Sequence, residues 1–184
     1  MGRRGRLVAT LVAAAAVVPL TACSPDEAMP VCGLLDEDVV RTVTGDLTTT
    51  AFGAASDEAG REVALDPVRR QGNGVDCTIS NGSEQLLTVF AMDVSHDAER
   101  DEMRSEFAEA AEGSEHCAAV DSPAGYVCRD VDDSGETYAA FLFDDRWVRV
   151  TARYRDDDEP PSADVVLGVA RNVDATITAY DAAR

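Results

Sequence analysis

The sequence predicts a single α+β domain, an antiparallel sheet of about five to seven strands with three main helices packed against it. Three observations carry that expectation. Helical and alternating segments follow in the order helix, strands, helix, strands, helix, and successive strands are separated by turns too short for a crossover. After Pro160-Pro161 the chain repeats Val166, Val169, Val173, Ile177 and Tyr180 at helical spacing, the buried seam of a final helix capped by Ser162.

Each element has its own signal. Asp36 suits a helix N-cap, Glu37 and Asp38 fall in the first turn where the helix dipole favours anions, and Val39, Val40 and Val43 share a face. That helix is expected from about Asp36 to Thr44, with Gly45 as its stop. Residues 46–74 resist assignment. Leu47 to Phe52 has strand composition, but Gly53 to Asp57 and Gln71 to Gly74 are loop-like and Asp66-Pro67 breaks a helix, so a long excursion is expected there. Val75, Cys77 and Ile79 then alternate, Ser80-Asn81-Gly82-Ser83 reads as a hairpin turn, and Leu86 to Met92 returns as a second strand.

Ser95 or Asp97 can cap a second helix reaching Gly113, with Ala98 or Glu99, Met103, Phe107, Ala110 and Ala111 along its inner stripe. Cys117 to Val120 and Gly125 to Val131 are expected as short strands around Ser122-Pro123. Glu136 to Phe143 and Arg146 to Tyr154 are the most strand-like segments, joined at Asp144-Asp145. In the latter, Val148, Val150, Ala152 and Tyr154 point one way, while Trp147, Arg149, Thr151 and Arg153 point the other. The two halves each hold a helix, a meander and a cysteine pair, but their identity is too slight to establish a duplication.

The amino-terminal residues speak to location. Arg3, Arg4 and Arg6 precede an apolar run from Leu7 to Val18, the order of a secretory signal. As a helix that run would rise only about 18 Å against a hydrocarbon core of roughly 30 Å, too short for a span. Leu20-Thr21-Ala22-Cys23 resembles the lipobox of bacterial lipoproteins. The resemblance implies cleavage after Ala22, diacylglyceryl transfer to the Cys23 thiol and acylation of the new amino terminus, palmitate being typical of such anchors. Two or more acyl chains suffice for stable anchoring, whereas one binds marginally. An ordinary cleaved signal with an incidental cysteine is the competing reading. Arg3-Arg4 also fits a twin-arginine signal, but Gly5-Arg6 continues it poorly and the general export route is favoured. The expected organisation is therefore a signal over 1–22, a lipidated Cys23 with a polar tether over 23–31, and an extracytoplasmic domain over 32–184.

Charge and cysteines narrow the class. The chain carries 16 Arg, no Lys and 35 acids, a formal net charge of −19; loss of residues 1–22 removes three Arg and no acids, taking it to −22. That sign argues against nucleic acid as a partner and against tight docking on anionic headgroups. Beyond Cys23 stand Cys32, Cys77, Cys117 and Cys128, four cysteines destined for an oxidising compartment, so two disulfides are expected. Pairing by chain order, Cys32 with Cys77 and Cys117 with Cys128, staples each half separately and contributes about 4 and 3 kcal/mol by the loop-entropy argument. Zinc is disfavoured, since there is no CxxC pair and His96 and His116 lack ligand spacing.

Val31-Cys32-Gly33-Leu34-Leu35, a helix closing on Thr44-Gly45, and the strand Val75-Asp76-Cys77-Thr78-Ile79, together with the lipobox, resemble a family of actinobacterial cell-envelope lipoproteins of unknown function. The resemblance implies an extracytoplasmic domain and carries no catalytic residues.

Few residues invite chemistry. No G-x-S-x-G or S-x-x-K occurs, and neither histidine has a convincing partner, so no catalytic residue is assigned. Asp130-Val131-Asp132-Asp133-Ser134-Gly135 begins like a calcium loop, yet Phe141 occupies the place of the bidentate Glu, and a strand-to-strand turn is the better reading. Asp156 to Glu159 is a solvated acidic run, and no metal or cofactor is expected. The face bearing Trp147, Arg149 and Arg153 is the candidate ligand face, suited to an anionic ligand or acidic partner; cross-strand pairing with carboxylates and burial of Trp147 under a helix compete with it. The expectation is a lipid-anchored, non-enzymatic envelope module on the outer face of the cell membrane, binding a small ligand or another envelope protein. A hydrolase using a carboxylate pair is the alternative.

Overall fold

The computed structural model describes residues 31–56, 62–63, 74–94, 96–130, 135–153 and 160–183, with the backbone alone over 52–56 and 62–63. Cys23, its flanking residues and the Asp156 to Glu159 run lie outside them.

The domain begins with a tight turn. Cys32 and Gly33 both take positive φ (56° and 67°), Val31 N–H donates to the Leu35 carbonyl at 2.6 Å, and Leu34 and Leu35 drop fully into the core. Helix α1 (Glu37–Thr44) follows and stops at Gly45, whose φ of 59° suits a residue without Cβ. Asp36 occupies the N-cap position but its side chain makes no cap bond. Its carboxylate instead accepts from Asn172 Nδ2 at 2.6 Å, while its N–H donates to Asn172 Oδ1 at 2.9 Å, tying α1 to the last helix.

Among the described residues eight strands form one antiparallel sheet: β1 (Thr50–Ser56), β2 (Glu62–Val63), β3 (Val75–Asn81), β4 (Glu84–Asp93), β5 (Cys117–Val120), β6 (Ala124–Arg129), β7 (Glu136–Leu142) and β8 (Arg146–Arg153). Their spatial order is β2-β1-β3-β4-β8-β7-β6-β5, so the two halves of the chain meet where β4 pairs β8. The β3–β4 hairpin turns at Gly82, φ 60°, and Val75, Cys77 and Ile79 face inward as their alternation requires. The strand expected at Leu47 to Phe52 is displaced to Thr50–Ser56. Gly53, Ala54 and Ala55 have little intrinsic strand preference, but they pair with Cys77, Asp76 and Val75, and the neighbouring strand imposes the extended form.

Helix α2 (Asp97–Glu112) starts at His96 rather than at a Ser95 or Asp97 cap, and α3 (Ala163–Ala182) starts at Ser162, whose Oγ accepts from Val165 N at 3.4 Å. α1 and α3 cover one face of the sheet. There Val166, Val169, Val173 and Ile177 meet Val148, Val150, Phe141, Val89 and Ile79, all completely buried. Full burial of each such side chain contributes about 1.5–3 kcal/mol. Tyr180, expected in the α3 seam, is only half-buried.

α2 lies on the opposite face over β5, β6 and β7. Of its expected stripe only Phe107 is buried; Met103, Ala110 and Ala111 are half-buried, and Ala98 and Glu99 are exposed. A second, smaller core forms there from Val94, Phe107, Ala140 and Leu142. At Gly125 a Cβ would collide with the Ala140 carbonyl oxygen and the Phe141 ring, so β6 and β7 approach closely enough to require glycine.

Two disulfides join Cys32 to Cys77 and Cys117 to Cys128, each within one half of the chain. The first links the opening turn to β3; the second bridges directly opposed residues of β5 and β6.

Candidate functional site

Alternation along β8 places Trp147, Arg149, Thr151 and Arg153 on the face opposite α3, together with Thr88, Phe90 and Met92 of β4 and Tyr138 of β7. α2 shields one side of this face. Beyond its edge Phe90 and Thr151 are half-exposed and Arg149 is exposed, with no helix among the described residues packed above them.

The three residues singled out in sequence share this face but differ in circumstance. Arg153 stands opposite Glu136 and donates to its Oε1 from Nη2 at 2.6 Å and from Nε at 3.1 Å, which satisfies it as a cross-strand pair. Trp147 is half-buried against the small core under α2, and its Nε1 is buried without a hydrogen-bond acceptor among the described residues. Arg149 lies over two rings, its guanidinium carbon 5.7 Å from the Phe90 centroid and 5.8 Å from that of Trp147. The rings themselves meet edge-on at 5.6 Å. Such contacts contribute about 0.5–1 kcal/mol at an exposed site and hold the cation in place.

Arg149 is unusual among the described arginines. Arg41, Arg100, Arg104, Arg146 and Arg153 each pair with a carboxylate, and Arg129 and Arg171 donate to the Pro160 and Ser122 carbonyls. Arg149 makes neither kind of bond with any described residue, in a chain where acids outnumber arginines 35 to 16.

Across β7 from this cation, a groove of about 520 Å³ runs between α2 and the sheet, lined by Ala110, Ser114, the Cys117–Cys128 pair, Tyr126, Tyr138 and Glu136. Tyr126 packs against Phe107 at 5.5 Å and Tyr138 at 5.8 Å between centroids. Burial, then its hydrogen bond to Tyr138, pushes the Tyr126 hydroxyl far above the ordinary tyrosine range, so it stays neutral. Phe90, Tyr126 and Tyr138 are not singled out by the sequence, although their alternation with the buried Val89, Val127 and Ala139 marks the same face.

A second, larger cleft of about 1160 Å³ opens between the start of α2, the β5–β6 and β7–β8 turns and α3. Arg100, Arg104 and Arg171 line it, with Asp97, Asp121, Asp144, Asp145 and Asp174. Beside it Arg146, only 2% exposed, lies within 4 Å of Asp93, Asp145, Asp174 and Asp181. Burial raises the Asp174 carboxyl above its usual range; Arg146 opposes that rise, and the nearby Asp145 and Asp144 add to it. Neither Arg146 nor Asp174 stands out in sequence, though Arg146 shares the parity of Val148 and Val150.

The remaining candidates are peripheral. His96 and His116 are exposed at the entry to α2 and before β5. Asp130 Oδ1 accepts from Gly135 N at 3.0 Å, as a turn would have it, and the intervening loop lies outside the described residues. Among the described residues no group of three or more His, Cys, Asp or Glu side chains is arranged to hold a metal ion. No described helix is long and apolar enough to cross a membrane. No protein-family model matches the chain, and no curated protein or solved structure is significantly similar to it.

Proposed function

We propose that the protein is a lipid-anchored extracytoplasmic envelope module that binds a ligand or another envelope protein and performs no reaction itself. Cys23 is the anchor, and residues 24–30 are the tether between bilayer and domain, which begins where Val31 bonds Leu35. The observation that carries the reading is the sheet face of Phe90, Trp147, Arg149 and Thr151, which no described helix covers and which adjoins a concave groove. Binding sites combine an apolar concave surface with a few placed polar groups, and this face has both.

The alternative is a hydrolase working from the larger cleft, where Asp174 and Asp145 come together. Both carboxylates there lie against Arg146, which suits them to hold a helix in place more than to exchange protons. Affinity capture from native membranes with the soluble domain from Ser24 onward separates the two. The wild-type domain is expected to retain a lipid or protein that Thr151→Glu, a charge in the middle of the open face, loses. Retention by neither form, together with hydrolysis of envelope esters or glycosides that Asp174→Asn abolishes, would establish the enzyme instead.

A further inference from the structure

We infer that the open face takes a single-chain amphiphilic anion, its apolar body in the groove beside α2 and its acidic group on Arg149. The inference rests on the reading of that face as a binding site and names the chemistry it selects.

Charge decides the polar end. In so acidic a chain every other described arginine is neutralised by a carboxylate or capped by a carbonyl, whereas Arg149 is held only by the faces of Phe90 and Trp147. Rings orient a guanidinium without consuming its donors, and its five N–H groups stay available to a carboxylate or phosphate. In a chain of net charge −19 such an available cation attracts an anion that the rest of the molecule repels.

Shape decides the apolar end. The groove of about 520 Å³ falls within the range of small-molecule pockets; its walls are Ala110, Ser114, the Cys117–Cys128 disulfide, the rings of Tyr126 and Tyr138, and Glu136, whose carboxylate Arg153 already engages. Register sets the distance between the two ends. Arg149 pairs with Ala140 and Ala140 with Tyr126, two strand spacings or about 10 Å across the sheet. A ligand long enough to engage both must therefore be an extended amphiphile rather than a bare anion.

Trp147 is the chain's only tryptophan and touches Arg149, so its fluorescence reports occupancy directly. The soluble domain from Ser24 is titrated with decanoate, decyl phosphate, decanol and decyltrimethylammonium, each below its micellar concentration, and with anionic phospholipid vesicles. Decanoate or decyl phosphate should give a saturable change at a concentration at least tenfold lower than decanol, with no response to the cation. The two anions tell which acid the site prefers. Arg149→Gln should reduce anion binding to the level of decanol, Arg149→Lys should recover part of it, and Ala110→Trp should abolish binding of anion and alcohol together. Circular dichroism checks that each variant folds. Equal binding of anion and alcohol, an Arg149→Gln variant that binds the anions as wild type does, or a response to vesicles alone would overturn the inference. If no amphiphile binds while membrane capture still depends on Thr151, the module stands and this ligand class falls.

Discussion

Arg146 at the start of β8 reaches across to Asp174 in the middle of α3, donating from Nη1 to both its carboxylate and, at 3.1 Å, its backbone carbonyl. The same nitrogen donates to Thr178 Oγ1 at 3.1 Å, and Nη2 reaches Asp181 Oδ2 at 3.5 Å. One guanidinium thus fastens two turns of helix to a strand end. Taking such a cation out of water is costly, and the four surrounding carboxylates offset that cost.

Arg146→Met should destabilise the domain by about 1–3 kcal/mol, the range for lost charge-assisted hydrogen bonds, because Asp93, Asp145 and Asp181 are exposed enough for water to take over from the cation. Urea unfolding of wild type and variant measures it. A loss below about 1 kcal/mol would show that Asp174 relaxes into solvent as well.

Asp174 titrates in a predictable direction. Its folded-state pKa lies above the unfolded value, so the folded protein binds the extra proton and stability falls as pH rises through the folded pKa. Asp174→Asn removes that dependence. Denaturation midpoints followed from about pH 4 to 7 should show the variant gaining on wild type as pH rises. A difference that is flat in pH, or that runs the other way, would contradict the assignment.

The disulfides should differ in weight. Their sequence separations are 45 and 11 residues, so replacing Cys32 and Cys77 by Ser should cost about 4 kcal/mol and replacing Cys117 and Cys128 about 3 kcal/mol. Unreduced peptide mapping checks the pairing, and thermal unfolding checks the order.

Gly125→Ala tests the contact between β6 and β7. Its methyl group would press on the Ala140 carbonyl and the Phe141 ring, and overpacking of that kind costs about 1–3 kcal/mol. Gly168, exposed on α3 with nothing within 4 Å of where a methyl group would sit, is the control: Gly168→Ala should be stabilising by roughly 0.5–1 kcal/mol.

If Cys23 is the anchor as proposed, Cys23→Ser should leave folding unchanged and abolish retention by lipid. Detergent partitioning of both forms measures it. A Cys23→Ser protein still found in the detergent phase after signal removal would remove the lipid anchor from the proposal.

Much of the architecture was legible because side-chain alternation and turn chemistry are local. The β3–β4 hairpin, the β7–β8 pair and α3 with Ser162 as its cap follow from short stretches of sequence, and the two disulfides join the cysteines that are neighbours in chain order. What escaped depends on distant partners. β1 is extended because β3 lies beside it, and Asp36 bonds Asn172, 136 residues away, in place of capping its own helix. The candidate site divides in the same way. Trp147, Arg149 and Arg153 were identifiable from one strand, but only the neighbouring strands reveal that Glu136 satisfies Arg153 while Phe90 leaves Arg149 available.

The join between β4 and β8 sets an order of events as the chain emerges. Each covalent bridge closes inside its own half, so oxidation of the first half needs nothing from the second, and correct pairing is favoured while the second half is still emerging. Until residues 146–153 arrive, however, β4 presents an unpaired edge of Leu87, Val89 and Ala91 to whatever else is nearby. The interval between synthesis of the two halves is thus the period in which this chain is most exposed to aggregation through that edge.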